Sequence, residues 1–145
     1  MMTGESSIYS NATGEVLASM TKPPISRHTL ALYCGASYDH NPMHVDIDFA
    51  RAHGVDDVFA HGMLSMAYLG ELLCRIVRPE DIRSFSVRFS AIVPVGAEIT
   101  CTARHAGLAE RLGETLTALD LLAVDAEGEI KVTGSALVAI NGEIA

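Results

Sequence analysis

The sequence predicts an α+β fold in which an antiparallel β-sheet wraps a long central helix. Up to Pro79, apolar residues recur at helical spacing, whereas after Pro79 the period of about 3.6 residues changes to 2. Short turns link the later strands, which is typical of antiparallel sheets. The segment 62–77 is apolar over so much of its surface that other structure has to cover it.

Four elements are predicted before the long helix. They are a strand over 16–20, a helix that begins after Ser26, a loop over 39–44 and a short helix between Asp46 and Gly54. Ser26 and Asp46 are good N-caps, and a proline pair separates the strand from the first helix. The loop contains Asn-Pro, a dipeptide that initiates turns.

The long helix is predicted over 62–77, because its apolar residues share one stripe and Pro79 ends it. Apolar and polar residues then alternate in four segments separated by turns. These predicted strands cover 84–93, 98–104, 115–125 and 130–140.

Length and composition limit the functional classes. The 145 residues include 10 Lys+Arg and 18 Asp+Glu, a net charge of −8, and are 49% hydrophobic, which fits one domain over 1–145 with a loose leader over 1–14. The acidic balance argues against nucleic acid and anionic membranes as partners. No apolar run reaches the roughly 20 residues of a membrane span. Three cysteines at no metal-like spacing indicate a reduced, cytoplasmic protein.

Ionisable side chains concentrate in one short stretch, where four of the six histidines fall between positions 40 and 61. A carboxylate and an imidazole held in a rigid turn suit general acid–base catalysis, and Asp39 with His44 is the candidate pair. His40 and His44 are four residues apart, a spacing that could bind a metal from one face of a helix. Asn-Pro between them disfavours a helix there, so no metal is predicted. Surface or loop positions are expected for His28, His40, His53 and His105.

The second candidate is His61-Gly62 at the start of the long helix. First-turn amides lack partners inside a helix, and glycine lets a ligand approach them closely. Such an amide can hold a carbonyl oxygen as it becomes an enolate. Acid–base groups with this donor suit proton chemistry beside a carbonyl, although His61 by itself is equally well read as a helix cap or a core histidine.

These residues form a pattern that resembles a known family. The pattern comprises Asp39-x-Asn41-Pro42-x-His44-x-Asp46, Ala60-His61-Gly62-Met63, and Val87-Arg88-Phe89 followed by Val93-Pro94-Val95-Gly96. It resembles the hydratase motif of the MaoC-like family, the (R)-specific enoyl-thioester hydratases and dehydratases. The resemblance covers residues 26 to 100, approximately.

The resemblance implies a hot-dog fold and reversible hydration of trans-2-enoyl thioesters, whose reverse is dehydration of (R)-3-hydroxyacyl thioesters. It makes Asp39 and His44 the catalytic dyad, with Asn41 supporting their loop. The Gly62 amide would bind the thioester carbonyl, with His61 and Met63 beside it in the substrate site. No metal or redox cofactor is implied, since CoA or acyl carrier protein is part of the substrate.

Three features depart from the family or extend it. Tyr38 stands where glycine is usual before the aspartate, and Gly70 stands where some relatives carry a serine. A single hot-dog unit usually works as a dimer, so we expect a homodimer, or a heterodimer with a related hot-dog subunit, with the site near the interface. Two alternative functions remain: a hot-dog thioesterase, and a non-catalytic partner subunit that binds acyl thioesters.

Overall fold

Five antiparallel strands form one sheet, and the longest helix packs against its buried face. The computed structural model describes residues 13–139, so most of the predicted leader over 1–14 lies outside the described residues. In chain order the elements are β1 (Val16–Thr21), α1 (Arg27–Ser37), α2 (Ile47–Ala52), α3 (Gly62–Leu73), β2 (Ile82–Phe89), β3 (Thr100–Arg111), β4 (Glu114–Val124) and β5 (Ile130–Val138).

The strand order is β1-β3-β4-β5-β2, with every neighbouring pair antiparallel, so β1 and β2 are the two edges. Helix α3 contacts β1, β3, β4 and β5. Leu69, Leu72 and Leu73 of α3 are fully buried, as are Ile99 and Leu119 opposite them in the core. The predicted α+β fold with a sheet around a central helix is confirmed. Among residues 13–139, no helix is long and apolar enough to span a bilayer.

The predicted N-caps are confirmed. Ser26 Oγ accepts a hydrogen bond from the Thr29 amide at 3.0 Å, at the start of α1. Asp46 Oδ1 accepts from the Phe49 amide at 3.1 Å and from one further first-turn amide, at the start of α2. Because both caps satisfy amides that have no partner inside the helix, they fix where the two helices begin.

Helix α3 is shorter than the sequence predicts, because it ends at Leu73 rather than near Val77. Ile76 and Val77 are buried, but they lie in a tight turn in which the Ile76 amide donates to the Leu73 carbonyl at 2.9 Å. Both side chains lie in the core, which explains why the apolar pattern of the sequence continues past the end of the helix. Pro79 disfavours helical backbone at the residue before it, and the chain reverses here into β2.

The strands differ from the prediction at two places. β2 ends at Phe89, and the predicted continuation to 93 turns away, so that the Val93 carbonyl accepts from the Ala60 amide at 2.8 Å. β3 runs on to Arg111, which places His105 inside the strand with only 4% of its surface exposed. The prediction of a surface or loop position for His105 was wrong, because inward-facing positions continue with period 2 from Cys101 and Ala103 to His105.

We expect Gly134→Ala to destabilise the sheet by about 1–3 kcal/mol. A Cβ at Gly134 on β5 would lie 2.8 Å from the main-chain oxygen of Ser86 on β2, so the two strands would have to separate. Gly35→Ala is the matched control, because a Cβ there meets nothing within 4 Å and alanine favours the helix by up to about 1 kcal/mol. Urea unfolding of both variants measures the difference, and equal midpoints would contradict this account.

Candidate active site

The loop that carries Asp39 is fixed by its own side chains. Ser37 Oγ accepts from the Asp39 amide at 3.2 Å, Asp39 Oδ1 accepts from the Asn41 amide at 3.3 Å, and Asn41 Oδ1 accepts from the Met43 amide at 3.1 Å. Each bond joins a short polar side chain to the backbone two residues later, a local arrangement that stabilises turns. The Asp39 carboxylate is thereby oriented by its own loop.

His44 lies in a short 3₁₀ turn, Pro42–His44, and is buried. Its Nδ1 is 2.7 Å from the main-chain oxygen of Phe59. A carbonyl oxygen can only accept, so Nδ1 carries the hydrogen and donates it. In the neutral ring, Nε2 therefore keeps its lone pair and can accept a proton.

His61 joins the loop to the central helix. It is the N-cap residue of α3, it is 1% exposed, and its Nε2 donates to the main-chain oxygen of Asp39 at 3.1 Å. Its ring stacks on that of His44, with centroids 3.8 Å apart and planes inclined by 24°. On its other sides lie the Tyr33 ring, edge-on at 4.8 Å, and Cys34 Sγ, 3.5 Å from Nε2.

His61 is held in its neutral form. Burial lowers the pKa of His61 and outweighs the hydrogen bond to the Asp39 carbonyl, which raises it; His44 lowers the pKa further and the Asp39 carboxylate raises it. Protonation would place a hydrogen on Nδ1, a buried atom with no hydrogen-bond partner in the described part of the chain. A neutral ring can stack on His44 without placing two cations face to face.

Three ionisable side chains meet at this point. A carboxylate oxygen of Asp39 and one ring nitrogen each of His44 and His61 all lie within 4.8 Å of one another. A water with hydrogen bonds of about 2.8 Å on each side bridges groups up to about 5.6 Å apart, so one water can contact the Asp39 carboxylate and a ring nitrogen together. The Asp39 side chain is exposed while His44 is buried, so the pair faces solvent on one side only.

Asp39, His44 and His61 are also residue types that bind metal ions, and they form such a group within the described part of the chain. Their geometry suits an ion poorly. Imidazole lone pairs lie in the ring plane, and the planes of His44 and His61 are nearly parallel, so they do not converge on a point about 2.0–2.1 Å from both. The absence of a metal requirement stays a prediction.

An apolar cleft of about 410 Å³ lies beside the start of α3. Phe59 connects it to the acid–base pair, because the Phe59 ring lines the cleft and also contacts the His44 ring edge-on at 5.3 Å. The other residues in its wall are Ala60, Gly62, Ser65, Phe89, Ala91, Ile92, Val93 and Val132. The cleft therefore offers an apolar group a place next to the first amide of α3.

Gly62 opens that amide to the cleft. It is the first residue of α3, and its amide has no partner inside the helix. A Cβ at this position would lie 3.1 Å from the Phe89 ring, closer than side chains normally approach. Glycine lets the Phe89 ring lie against the helix start.

A buried lysine contacts the cleft wall at Ile92. Lys131 is 3% exposed, and its Nζ donates to the Ile92 carbonyl at 3.0 Å. It also pairs with Asp125 at 3.2 Å and with Glu129. Burial alone would lower the pKa of Lys131, but the hydrogen bonds and charges of Glu129 and Asp125 outweigh it and raise the pKa. The cation therefore persists inside the fold because both carboxylates accompany it.

Three of the six predicted site residues meet here, namely Asp39, His44 and His61, and Gly62 follows His61 directly in the chain. The other two do not reach the acid–base pair in the described contacts: Asn41 uses its side-chain oxygen within the loop, and Met63 is 51% exposed. The structure adds several neighbours that the sequence did not identify as site residues: Tyr33, Cys34, Phe59, Ser65, Phe89 and Lys131. The helical stripe of α1 carried a signal for Tyr33 and Cys34, and the family pattern contained Phe89.

The structure shows the surroundings of Tyr38 and Gly70, the two residues that depart from the family pattern. Tyr38 ends α1 in the left-handed backbone conformation, with φ 61°, and its side chain is 86% exposed. A Cβ at Gly70 would lie 3.5 Å from the Phe85 ring, an ordinary contact distance. A serine at this position would therefore meet the aromatic side chain of β2.

A five-stranded antiparallel sheet packed around a helix defines the hot-dog class of folds. Residues 9–124 match the family model described as "MaoC like domain". This match spans most of the chain, and the chain belongs to the MaoC-like hydratase/dehydratase family.

Two curated relatives are similar in sequence. An "(R)-specific enoyl-CoA hydratase" of Rhodospirillum rubrum is 37% identical over 93 residues, which are 63% of this chain and 64% of that protein. The chain thus matches less than two thirds of that relative's length. A "3-hydroxyacyl-thioester dehydratase Z" of Mycobacterium tuberculosis is 28% identical over 126 residues, 83% of each protein.

Solved structures share the fold. The "(R)-hydratase from A. caviae involved in PHA biosynthesis" superposes with a TM-score of 0.75 and 26% identity, covering 91% of this chain and 98% of that one. The ChsH1-ChsH2 complex from Mycobacterium tuberculosis gives a TM-score of 0.76 at 17% identity, covering 90% and 98%. The second likeness shows the fold alone.

We expect Tyr38→Gly to stabilise the protein by about 0.5–1 kcal/mol. A side chain in the left-handed conformation costs about 1–2 kcal/mol, and the greater freedom of glycine in the unfolded chain offsets part of the gain. Tyr38→Ala is the control, since it removes the same ring and keeps the strained Cβ. Thermal unfolding compares them, and an alanine variant as stable as the glycine variant would show that the backbone strain is not the cause.

Proposed function

We propose that the protein hydrates trans-2-enoyl thioesters and, in reverse, dehydrates (R)-3-hydroxyacyl thioesters. The observation that carries this proposal is the meeting of the Asp39 carboxylate with the His44 and His61 rings, next to a helix start whose first residue lines an apolar cleft. The names of the two curated relatives support the same reaction in both directions.

In the hydration direction, Asp39 and His44 hold a water against C3 of the substrate. His44 Nε2 takes one proton from this water because Nδ1 is already committed to the Phe59 carbonyl. The oxygen bonds to C3 as the C2–C3 double bond opens, and the electron pair moves onto the thioester carbonyl. The Gly62 amide and the positive end of α3 stabilise the resulting enolate. A proton returns from the acid–base pair to C2, which completes the addition of one water.

The acyl chain occupies the apolar cleft in this proposal, and the thiol carrier stays outside it. CoA or acyl carrier protein is then part of the substrate, and no metal or redox cofactor takes part. The proton steps need only groups that the chain supplies. Activity is therefore expected to persist in EDTA.

We expect Asp39→Asn and His44→Gln each to lower kcat for crotonyl-CoA hydration by on the order of 10² or more. The reaction is followed by loss of the enoyl absorbance, with the chirality of the product determined. His53→Gln is the control, because His53 is exposed and its Nδ1 bonds only within α2. Wild-type kcat in both folded dyad variants would contradict the assignment.

Other results would favour the alternatives. Release of free thiol without hydration would indicate a thioesterase, and binding of crotonyl-CoA without turnover would indicate a non-catalytic subunit. Loss of activity in EDTA with rescue by zinc would replace the metal-free proposal with a metal-dependent one.

We also propose that two copies pair through the edge strand β2, or that β2 pairs with a related hot-dog subunit. Among residues 13–139, only β5 pairs with β2, so its other edge has unpaired backbone groups. Phe89 at the end of β2 and Ile92 in the cleft wall are both at least half exposed. A second subunit at this edge would cover both side chains and close the cleft, which places the site near the interface.

The outward face of β4 gives only weak support for a partner there. Ala118, Leu122 and Val124 are half-buried there, while Asp120 between them is exposed. A partner on this face would have to cover an acidic side chain together with the apolar ones.

Light scattering at micromolar concentration should give about twice the chain mass of 15.4 kDa. Phe89→Asp should shift this mass toward the monomer, because it places a charge at the proposed edge. Leu108→Asp is the control, since Leu108 is exposed on β3 away from this edge. A wild-type mass near 15.4 kDa with full activity would rule out the dimer.

A further inference from the structure

Ser65 carries a buried hydroxyl that the fold does not use. The residue is fully buried in α3, and its Oγ has no hydrogen-bond partner among residues 13–139. A serine inside a helix commonly bonds to a carbonyl of the preceding turn, and this one does not. Leaving a buried hydroxyl unpaired costs free energy, so such a group in a native fold calls for an explanation.

The position of Ser65 relative to Gly62 suggests that explanation. The two residues are three apart on α3, so they share one helix face, and both line the cleft. Side chains on a helix lean toward its N-terminus, so the Ser65 hydroxyl lies over the turn that begins with Gly62. Gly62 has no side chain, and the Phe89 ring lies against it on the cleft side. The Gly62 amide and the Ser65 hydroxyl are therefore neighbouring donors at the start of α3.

We propose that the Ser65 hydroxyl donates a second hydrogen bond to the thioester carbonyl oxygen, beside the bond from the Gly62 amide. This inference rests on the proposed function and deepens it. The rest of the cleft wall is almost wholly apolar, with Phe59, Phe89 and Ile92 prominent, so an acceptor on the substrate belongs at this end. Two donors aimed at one oxygen stabilise it more as it gains negative charge in the enolate than in the ground state.

The test is Ser65→Ala, assayed with crotonyl-CoA. A donor to this oxygen predicts a fall in kcat on the order of 10² with a rise in KM of only about five-fold, because the bond forms in the ground state and strengthens in the transition state. The folded state should be as stable as the wild type or more stable, since the variant removes an unpaired hydroxyl. A purely structural role for Ser65 would lower the unfolding midpoint.

Thr117→Val is the matched control. Thr117 on β4 is also fully buried with an unpartnered hydroxyl, and it is not among the cleft-lining residues. The proposal expects wild-type kcat in this variant. If Ser65→Ala keeps kcat within two-fold of an active wild type, or if both variants lose activity equally, the Ser65 proposal is overturned while the proposed function stands.

A binding measurement separates the two proposals if the wild type shows no turnover. Butyryl-CoA, a saturated thioester, is titrated into wild type and Ser65→Ala by calorimetry. Binding that weakens about five-fold or more in the variant supports the Ser65 bond even though the hydratase proposal fails. Equal affinity in the two proteins, or no binding to either, overturns the Ser65 bond.

Discussion

The hydrogen bond from His61 to the main-chain oxygen of Asp39 is the constraint on which the site depends. It joins a loop shaped by its own side chains to the start of a helix that the sheet has already fixed. The same imidazole supports the His44 ring by stacking, so one buried side chain orients both members of the proposed acid–base pair. Because His61 and Gly62 are adjacent in the chain, this hydrogen bond also fixes the position of the Gly62 amide relative to the loop that carries Asp39.

This arrangement concentrates unfavourable polar burial at the start of α3. His61 Nδ1 and Ser65 Oγ are buried there without partners in the described chain, and Tyr38 holds a strained backbone at the entrance to the loop. Interiors normally pair their polar groups, because each unpaired group costs about 1–3 kcal/mol. The large apolar contact between α3 and the sheet offsets these costs. The proposed chemistry and the fully buried leucines therefore lie at opposite ends of one helix, since the leucines are in its C-terminal half.

Local sequence patterns predicted much of this fold, and the failures have a common origin. Capping by Ser26 and Asp46 depends on neighbours in the chain, so the helix starts could be predicted. The end of β2 depends on a pairing of Val93 with Ala60, more than 30 residues away, and no local pattern reports such a contact.

The site divides in the same way. The motif identified the pair and the helix start, because these residues occupy two short segments. The proposed role of Ser65 and the contact of Lys131 with Ile92 could not be predicted, since they depend on how distant segments pack around the cleft.

Lys131 also gives the cleft a sensitivity to acid. Burial raises the pKa of Asp125, but hydrogen bonds from the Glu129 amide and from Lys131 outweigh it and hold that pKa below its ordinary value. The stabilisation from a lowered carboxyl pKa is present at neutral pH and is lost as the pH falls through the folded-state pKa. Below that point Lys131 stays charged beside a neutral Asp125, so a buried cation loses one of its two carboxylate partners. Strong acid therefore removes stabilisation from a turn that contacts the cleft wall at Ile92 but takes no part in the proposed chemistry.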